Sequence, residues 1–530
     1  MLQTVRSFRG MVTAPHHLAA QAGLRVLEDG GNAVEAMIAA AATIAVVYPH
    51  MNALGGDNFW LVHTPDGKMS GIDACGAAAG SANIDFYRSK GLKEIPSRGP
   101  LAALTVAGAV SGWQEAYRLS CEELGGMLPL ARILEDAAFF ARDGFAVTQT
   151  QANNTRGKLD ELKDVPGFAG NFLESGKSPA VGNRFRQPAL AQTMKFLAEK
   201  GFDTFYRGDL ARAIAADLQR AGSPLTLEDL QRHHALRVKP LSVEVAGHRV
   251  YNMPPPTQGL ASLILLGVFD RLGIGSAEGF DFVHGLVEST KRAFRVRDRY
   301  VTDPVYMKVD PASFLSEKEL DAMAAKVSRD KALPWPAVAA PGDTVWLGAA
   351  DCEGRVVSFI QSIYWEFGSG VVLPETGITW QNRGVSFGLD PSHTNSLAPY
   401  RRPFHTIQPA LSRLNDGRVM SYGTMGGEGQ PQTQAMVFAR HVLFGQELQQ
   451  AVTAPRWLLG RTWGASATNL RIENRFDPDV LKALLDAGHD VEVLGDFDDV
   501  MGHAGAVVLH QDGLMEGAAD PRGNGQPAAF

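Results

Sequence analysis

Residues 341–359 read PGDTVWLGAADCEGRVVSF. A β-like run begins on a threonine placed directly after Pro-Gly-Asp. Threonine is a common strand residue, so a turn followed by a strand is the ordinary account. The alternative is that Thr344 begins a new chain in the mature protein. TVWLGAAD and RVVSFIQSIYWEF are two β-like runs joined by Asp351-Cys352-Glu353-Gly354. With those four residues as the loop, Ala350 pairs with Arg355, and Thr344 lies opposite Gln361 and diagonal to Ser362. A slip of one residue keeps Ser362 within roughly 5–8 Å of Thr344 between β-carbons. A hydroxyl at 362 then reaches a hydroxyl or amine at the strand start; a Thr–Ser cross-strand pair of purely structural use is the competing reading.

Chemistry separates the two. A threonine hydroxyl is a weak nucleophile without a base beside it. Cutting the Asp343–Thr344 bond gives Thr344 a free α-amine with an ordinary pKa near about 8, suited to take the hydroxyl proton. Such an enzyme needs no separate His–Asp pair. It does need an oxyanion hole, most simply adjacent backbone N–H groups on a glycine turn. YGTMGGEGQPQTQ, residues 422–434, offers Gly426-Gly427 between a strand and a helix-like run. Upstream, ALPWPAVAAPGD at 332–343 has three prolines in twelve residues. It cannot continue a helix and reads as an extended, exposed segment suited to a chain break.

The rest of the chain sets bounds. It has 530 residues, 45% hydrophobic and 20% charged, with a formal net charge of −7. That is enough for a large core, and the balance gives no basis for nucleic-acid binding. The cysteines, Cys75, Cys121 and Cys352, are far apart and form no CxxC, so a disulfide framework is not expected. Arg6 and Arg9 have no apolar segment behind them, and Ala36 to Val47 is too short to span a bilayer. A cytoplasmic location, with no membrane partner, is the expectation.

HHLAAQAGLRVLED (16–29) and AVEAMIAAAATIAVV (33–47) have helical spacing, with Asn32 as cap of the second. NALGGDNFWLVHTPDGKMSGID (52–73) reads as two strands about a PDG turn. Residues 105–145 and 185–220 are helix-rich. Ser316 with Glu319 has capping-box form, for a helix running to about Ser328. A last helix begins at Asp479, before two final strands. Gly384-Val385-Ser386-Phe387-Gly388 matches GxSxG, but three prolines follow in place of the helix a nucleophile elbow needs. The adjacent pairs His16-His17 and His233-His234 lack metal-ligand spacing and no HExxH occurs, so no metal and no cofactor is expected.

Across nearly its whole length the chain resembles the γ-glutamyltransferase family of N-terminal-nucleophile hydrolases. The likeness rests on LEDGGNAVEAMIAAA (27–41), LGGDNFWLVH (54–63), GDT (342–344), FGSGVVLPETGI (367–378), RPFHTIQPAL (402–411), TMGGEG (424–429) and GAADPRG (517–523). The resemblance implies an α+β fold, a four-layer αββα sandwich. It implies cleavage between Asp343 and Thr344 into a large segment, 1–343, and a small one, 344–530, intertwined in one domain. Thr344 would be the nucleophile and its amine the base, Ser362 its supporting hydroxyl, and Gly426 and Gly427 the oxyanion turn. His405 and Thr406 fall where the family has a substrate-contacting serine pair, and Tyr364 where many members have Asn.

Two departures bear on substrate. The arginine that grips a γ-glutamyl α-carboxylate is replaced by Cys75, and the acid that grips its α-amine by Ser386. Both halves of an amino-acid clamp are missing, and a buried ammonium without an anionic partner is costly. Arg383 stands nearby in Asn382-Arg383-Gly384, and a guanidinium binds a carboxylate through two parallel hydrogen bonds. QSIYWEFGSGVVLP and QNRGVSF resemble the amidohydrolase branch, which includes oxamate amidohydrolases and some cephalosporin acylases. The expected activity is hydrolysis of an amide of a small anionic acyl group, oxamate-like. γ-Glutamyl transfer or glutathione hydrolysis, a glutaryl-cephalosporin-type acylase, and an uncleaved scaffold or binding protein are the alternatives. The expected partners are a small-molecule amide and the two segments of one precursor, with a dimer of processed units as an allowed assembly.

Overall fold

The computed structural model of the chain describes residues 2–335, 343–460 and 468–530, and at Asp343 the backbone only. Most of the proline-rich run at 332–343 therefore lies outside the described residues. Two antiparallel seven-stranded sheets form the centre. One runs Gln526–Ala529, Gly10–Ala14, Asp343–Asp351, Val356–Tyr364, Asp57–His63, Met69–Ala74, Leu236–Val238. The other runs Val5–Ser7, Met515–Ala519, Ala504–Leu509, Val419–Thr424, Ala410–Arg413, His248–Asn252, Leu241–Val245.

Strand alternation sorts the side chains of the first sheet between two cores. Val345, Leu347 and Ala349 face helices His17–Glu28, Ala33–Val47 and Ala109–Glu123. Trp346, Ala350, Val356 and Ile360 face the second sheet, against Leu411, Val507 and Met515. A third core joins the second sheet to helices Gly259–Asp270, Phe280–Tyr300 and Gly429–Phe438. Three apolar interfaces separate four layers, so the fold is the αββα sandwich.

Helix Ala33–Val47 is the clearest case of local sequence setting local structure. Asn32 accepts from the N–H groups of Val34 and Glu35, and Glu35 accepts back from the Asn32 N–H, each at 3.0 Å. Every residue of the helix is buried, which its run of small side chains permits. Trp346 is accommodated between the sheets by glycines: a Cβ on Gly348, Gly423 or Gly505 would lie 2.8, 2.2 or 2.6 Å from its indole.

Three local expectations are corrected. Ala350 pairs with Val356 and Val345 with Gln361, so Thr344 is not opposite Gln361; it sits in a bulge between that pair and Asp343–Tyr364. The loop holds one residue more than expected, because Asp351 closes it on the Arg355 carbonyl. Ser316 makes no capping hydrogen bond with its side chain, which donates to the Ser313 carbonyl, and the helix ends at Ala324. After the helix Pro478–Asp486 come four strands, not two.

Candidate active site

The bulge places Thr344 at the end of the inter-sheet face of its strand. Ser362, on the neighbouring strand, belongs to the same face as Ile360, and Asp57 pairs directly with Ser362 from the next strand. Thr344, Ser362 and Asp57 thus form a row across three strands, and Cys75 extends it just past Met69–Ala74. Gly56, immediately before Asp57, must be glycine: a Cβ there would lie 2.1 Å from the Ser362 carbonyl oxygen. Thr344 is fully buried. Ser362 Oγ accepts the Tyr364 N–H at 2.8 Å, and Tyr364 takes a positive φ of 81°. That turn lays the Tyr364 ring beside Arg383, whose guanidinium carbon is 3.7 Å from the ring centroid.

The second sheet contributes the other wall. Gly426 and Gly427 follow strand Val419–Thr424 with φ of 109° and 51°, the left-handed region that glycine favours. Helix Gly429–Phe438 begins directly after them, and from its first turn Gln430 Nε2 donates to Thr344 Oγ1 at 3.3 Å. Gln258 Nε2 donates to the carbonyls of Gly427, at 2.8 Å, and Thr406. Arg297 donates to Gln258 Oε1 at 3.0 Å and pairs with Glu428 at 3.1 Å. Arg383 Nη1 donates to Thr406 Oγ1 at 3.3 Å.

Arg383 is completely buried, and among the described residues it has no carboxylate within ion-pair distance; its Nε and Nη2 have no hydrogen-bond partner. Burial lowers its pKa to about 10, so it remains a cation at neutral pH. Asp57 Oδ2 meets His405 Nε2 at 2.9 Å. Burial raises the Asp57 pKa to about 7, against the pull of the Gly108 N–H, the Arg383 charge and the Gly76 N–H. Burial, then the Arg383 and Arg402 charges, holds His405 well below the usual imidazole range, so it is neutral.

Cys75 is buried, and burial, with Asp57 next, raises its thiol well above the usual range. A cavity of about 260 Å³ opens beside it, lined also by Asp73, His233 and Arg402. Ser386 Oγ is buried without a hydrogen-bond partner among the described residues. Neither residue supplies the charge of an amino-acid clamp.

Gln430 links Thr344 to Gly427, and Gln258 links Gly427 to Thr406, which accepts from Arg383; Ser362 is joined through Tyr364, whose ring lies over Arg383. Sequence reasoning missed Asp57, Gln258 and Gln430. The single acid opening a fully buried strand, DNFWLVH, was the available signal for the first; the glutamines carried none.

The Gamma-glutamyltranspeptidase family profile matches residues 19–530. The chain belongs to that family. An oxamate amidohydrolase proenzyme of Klebsiella pneumoniae is 54% identical over 524 residues, 99% of each chain. The glutathione hydrolase-like YwrD proenzyme of Bacillus subtilis is 40% identical over 99% of each. The crystal structure of a cephalosporin acylase from Bacillus halodurans matches with a TM-score of 0.92 at 35% identity, covering 100% of this chain and 97% of that one. As a γ-glutamyltranspeptidase family member of this kind the chain is an enzyme, an amide hydrolase. No described helix is long and apolar enough to cross a membrane.

Proposed function

We propose that the chain is a self-processing N-terminal-threonine amidohydrolase acting on an amide of a small anionic acyl group, oxamate or a close analogue. The observation that carries this reading is Arg383: a buried cation with two unpaired hydrogen-bonding nitrogens and no carboxylate partner among the described residues. Leaving such a group without an anion is costly, and a substrate carboxylate removes the cost. The relative named oxamate amidohydrolase proenzyme supports the same choice. Cys75 and Ser386 argue against a γ-glutamyl substrate, whose ammonium would find no anion in either.

In this reading Thr344 Oγ first attacks the Asp343 carbonyl, the amide becomes an ester, and water releases residues 1–343 from 344–530. The exposed Thr344 amine then serves as base. It takes the Oγ proton as Oγ attacks the substrate carbonyl, and the Gly426 and Gly427 N–H groups hold the oxyanion. The proton passes to the leaving nitrogen, which departs as ammonia, and an acyl ester remains on Thr344. Water, deprotonated by the same amine, hydrolyses it; oxamate would give oxalate. Ser362 supports the nucleophile, Tyr364 covers the guanidinium, and His405 and Thr406 line the acyl pocket.

Thr344→Ala tests the reading. The wild type is expected to run as two bands, about two-thirds and one-third of the chain mass, and to release ammonia from oxamate. The variant is expected to run as one band and release none. Cleavage of the variant at 343/344, or an inert single-band wild type, would overturn it.

A further inference from the structure

An N-terminal threonine carries its own base, yet a fully buried His–Asp pair lies at the end of the same strand row. We propose that Asp57 is a positioning residue for this reaction: through His405 it presents a lone pair at Nδ1 to an N–H of the substrate carboxamide held beside Arg383. The inference rests on the amidohydrolase reading above.

The hydrogen bonds fix which oxygen of Asp57 carries the exchange. Oδ1 accepts three N–H donors: Gly108 at 2.9 Å, Gly76 at 3.1 Å and Gln381 Nε2 at 3.2 Å. It has no room for a proton of its own. Among the described residues Oδ2 meets His405 Nε2 alone. With Asp57 ionised, the neutral His405 must donate from Nε2, and Nδ1 is left as an acceptor. When the pair gains a proton on Oδ2, Nε2 accepts and Nδ1 becomes a donor. One proton on Asp57 therefore reverses the polarity of the far side of the imidazole.

That far side meets no partner among the described residues. His405 Nδ1 is buried without a hydrogen-bond partner among the described residues, as are Nε and Nη2 of Arg383. The two residues are joined through Thr406, which follows His405 and takes the Arg383 Nη1 bond. An unpaired buried acceptor is destabilising, a cost that a ligand donor removes. The complement of this set is a carboxylate on Arg383 next to an N–H on His405, which is the arrangement in a primary amide of a small dicarboxylate. The charges facing the pair are the guanidinium groups of Arg383 and Arg402, the latter bound to Asp73 and Asp303. Cys75 faces it as a neutral thiol, and after processing the Thr344 amine joins them. Burial places the Asp57 transition near neutrality.

Asp57→Asn keeps the shape and reverses the polarity. The Asn carbonyl takes the Oδ1 position among its three donors, and its NH₂ donates to Nε2, so Nδ1 is locked as a donor at every pH. For oxamate the variant is expected to lose about 10- to 100-fold in kcat/KM, the size of one buried hydrogen bond turned to repulsion. For monoethyl oxalate, which carries the same carboxylate but no N–H, it is expected to stay within about threefold of wild type. With oxamate, the part of the acid limb near pH 7 that belongs to Asp57 is expected to be absent in the variant, leaving the limb of the Thr344 amine. Equal losses on amide and ester overturn the proposal, as does an unchanged pH profile. A wild type that turns over neither compound overturns the amidohydrolase reading and this role with it. A tautomer measurement needs no activity and no Asp57 variant: ¹⁵N-imidazole spectra of the Thr344→Ala protein, with His405 assigned by its loss in His405→Gln. A protonated Nε2 and bare Nδ1 at pH 8 support the proposal; the opposite tautomer overturns it.

Discussion

In the proposed function, substrate choice turns on Arg383. Its guanidinium is held by one hydrogen bond to Thr406 and by the face of Tyr364, and its buried Nε and Nη2 have no partner among the described residues. A charge-assisted pair of hydrogen bonds to a substrate carboxylate in such a place is worth about 3 kcal/mol or more. Arg383→Ala is therefore expected to lower kcat/KM for oxamate by at least about 100-fold and to leave small neutral amides within a few-fold, read from parallel assays of the two. Arg383→Lys keeps the charge and loses the fork. It is expected to recover only part of the loss, because a single ammonium cannot match both carboxylate oxygens. Equal losses on neutral and anionic amides would mean that the arginine holds the fold and not the substrate. Arg383 was legible in the sequence because two clamp positions had lost their charge while a new one stood nearby. Asp57 was not, since its meaning depends on His405, which lies 348 positions away in the chain.

Among the elements, the turn Gly426-Gly427 is held both by its backbone conformation and by a clamp from outside. The Gly426 φ of 109° lies where only glycine is at ease, and Gln258 grips the Gly427 carbonyl from the start of another helix. Gly426→Ala is expected to reduce kcat by about 10²–10³ with KM little changed, because in the proposed mechanism the N–H groups act on the oxyanion and not on the ground-state amide. Gln258→Ala removes the clamp on both Gly427 and Thr406 and takes one acceptor from Arg297, which keeps Glu428 and Asp298. A smaller fall, about tenfold, is expected there, with a loss of about 1–3 kcal/mol in unfolding free energy. A Gly426→Ala enzyme with normal kcat would remove the turn from the catalytic steps. The hairpin leading to Thr344 was readable from two β-like runs and a turn, because strand alternation is a local property. The bulge that shifts its register was not. It answers to neighbours that only the folded sheets supply, such as the Gly56–Ser362 approach. The stacking of the two sheets was reached through family resemblance, since periodicity assigns faces to strands but does not say which sheets meet.

Over the whole molecule, buried imidazoles set how stability responds to acid. Burial lowers His16, His233 and His489 to about 3 and holds His50 and His405 well below their ordinary 6.5. In the unfolded chain each would bind a proton near pH 6.5; in the folded chain none does until far lower. The unfolded state then holds more protons between about pH 6.5 and 3, so the stabilisation is present above 6.5 and lost as pH falls through that window. Each histidine contributes a slope of up to about 1.4 kcal/mol per pH unit. Asp57 acts in the opposite sense. Its folded pKa is raised to about 7, so its contribution is present below the usual 3.8 and lost as pH rises through 7. One raised carboxylate offsets one of the five histidines, and the net slope remains positive. The unfolding temperature is expected to drop steeply from pH 6.5 to 4 and to change little between 7 and 8, measured by calorimetry. His50 offers a direct check. It is completely buried between Tyr48 and Phe367, and neither ring nitrogen has a hydrogen-bond partner among the described residues. His50→Phe replaces it with an apolar ring that cannot take a proton. The variant is expected to match or exceed wild-type stability at pH 7 and to gain on it by about 1–2 kcal/mol by pH 5. Parallel melting curves for the two proteins across that range would show that His50 is not held neutral by the fold.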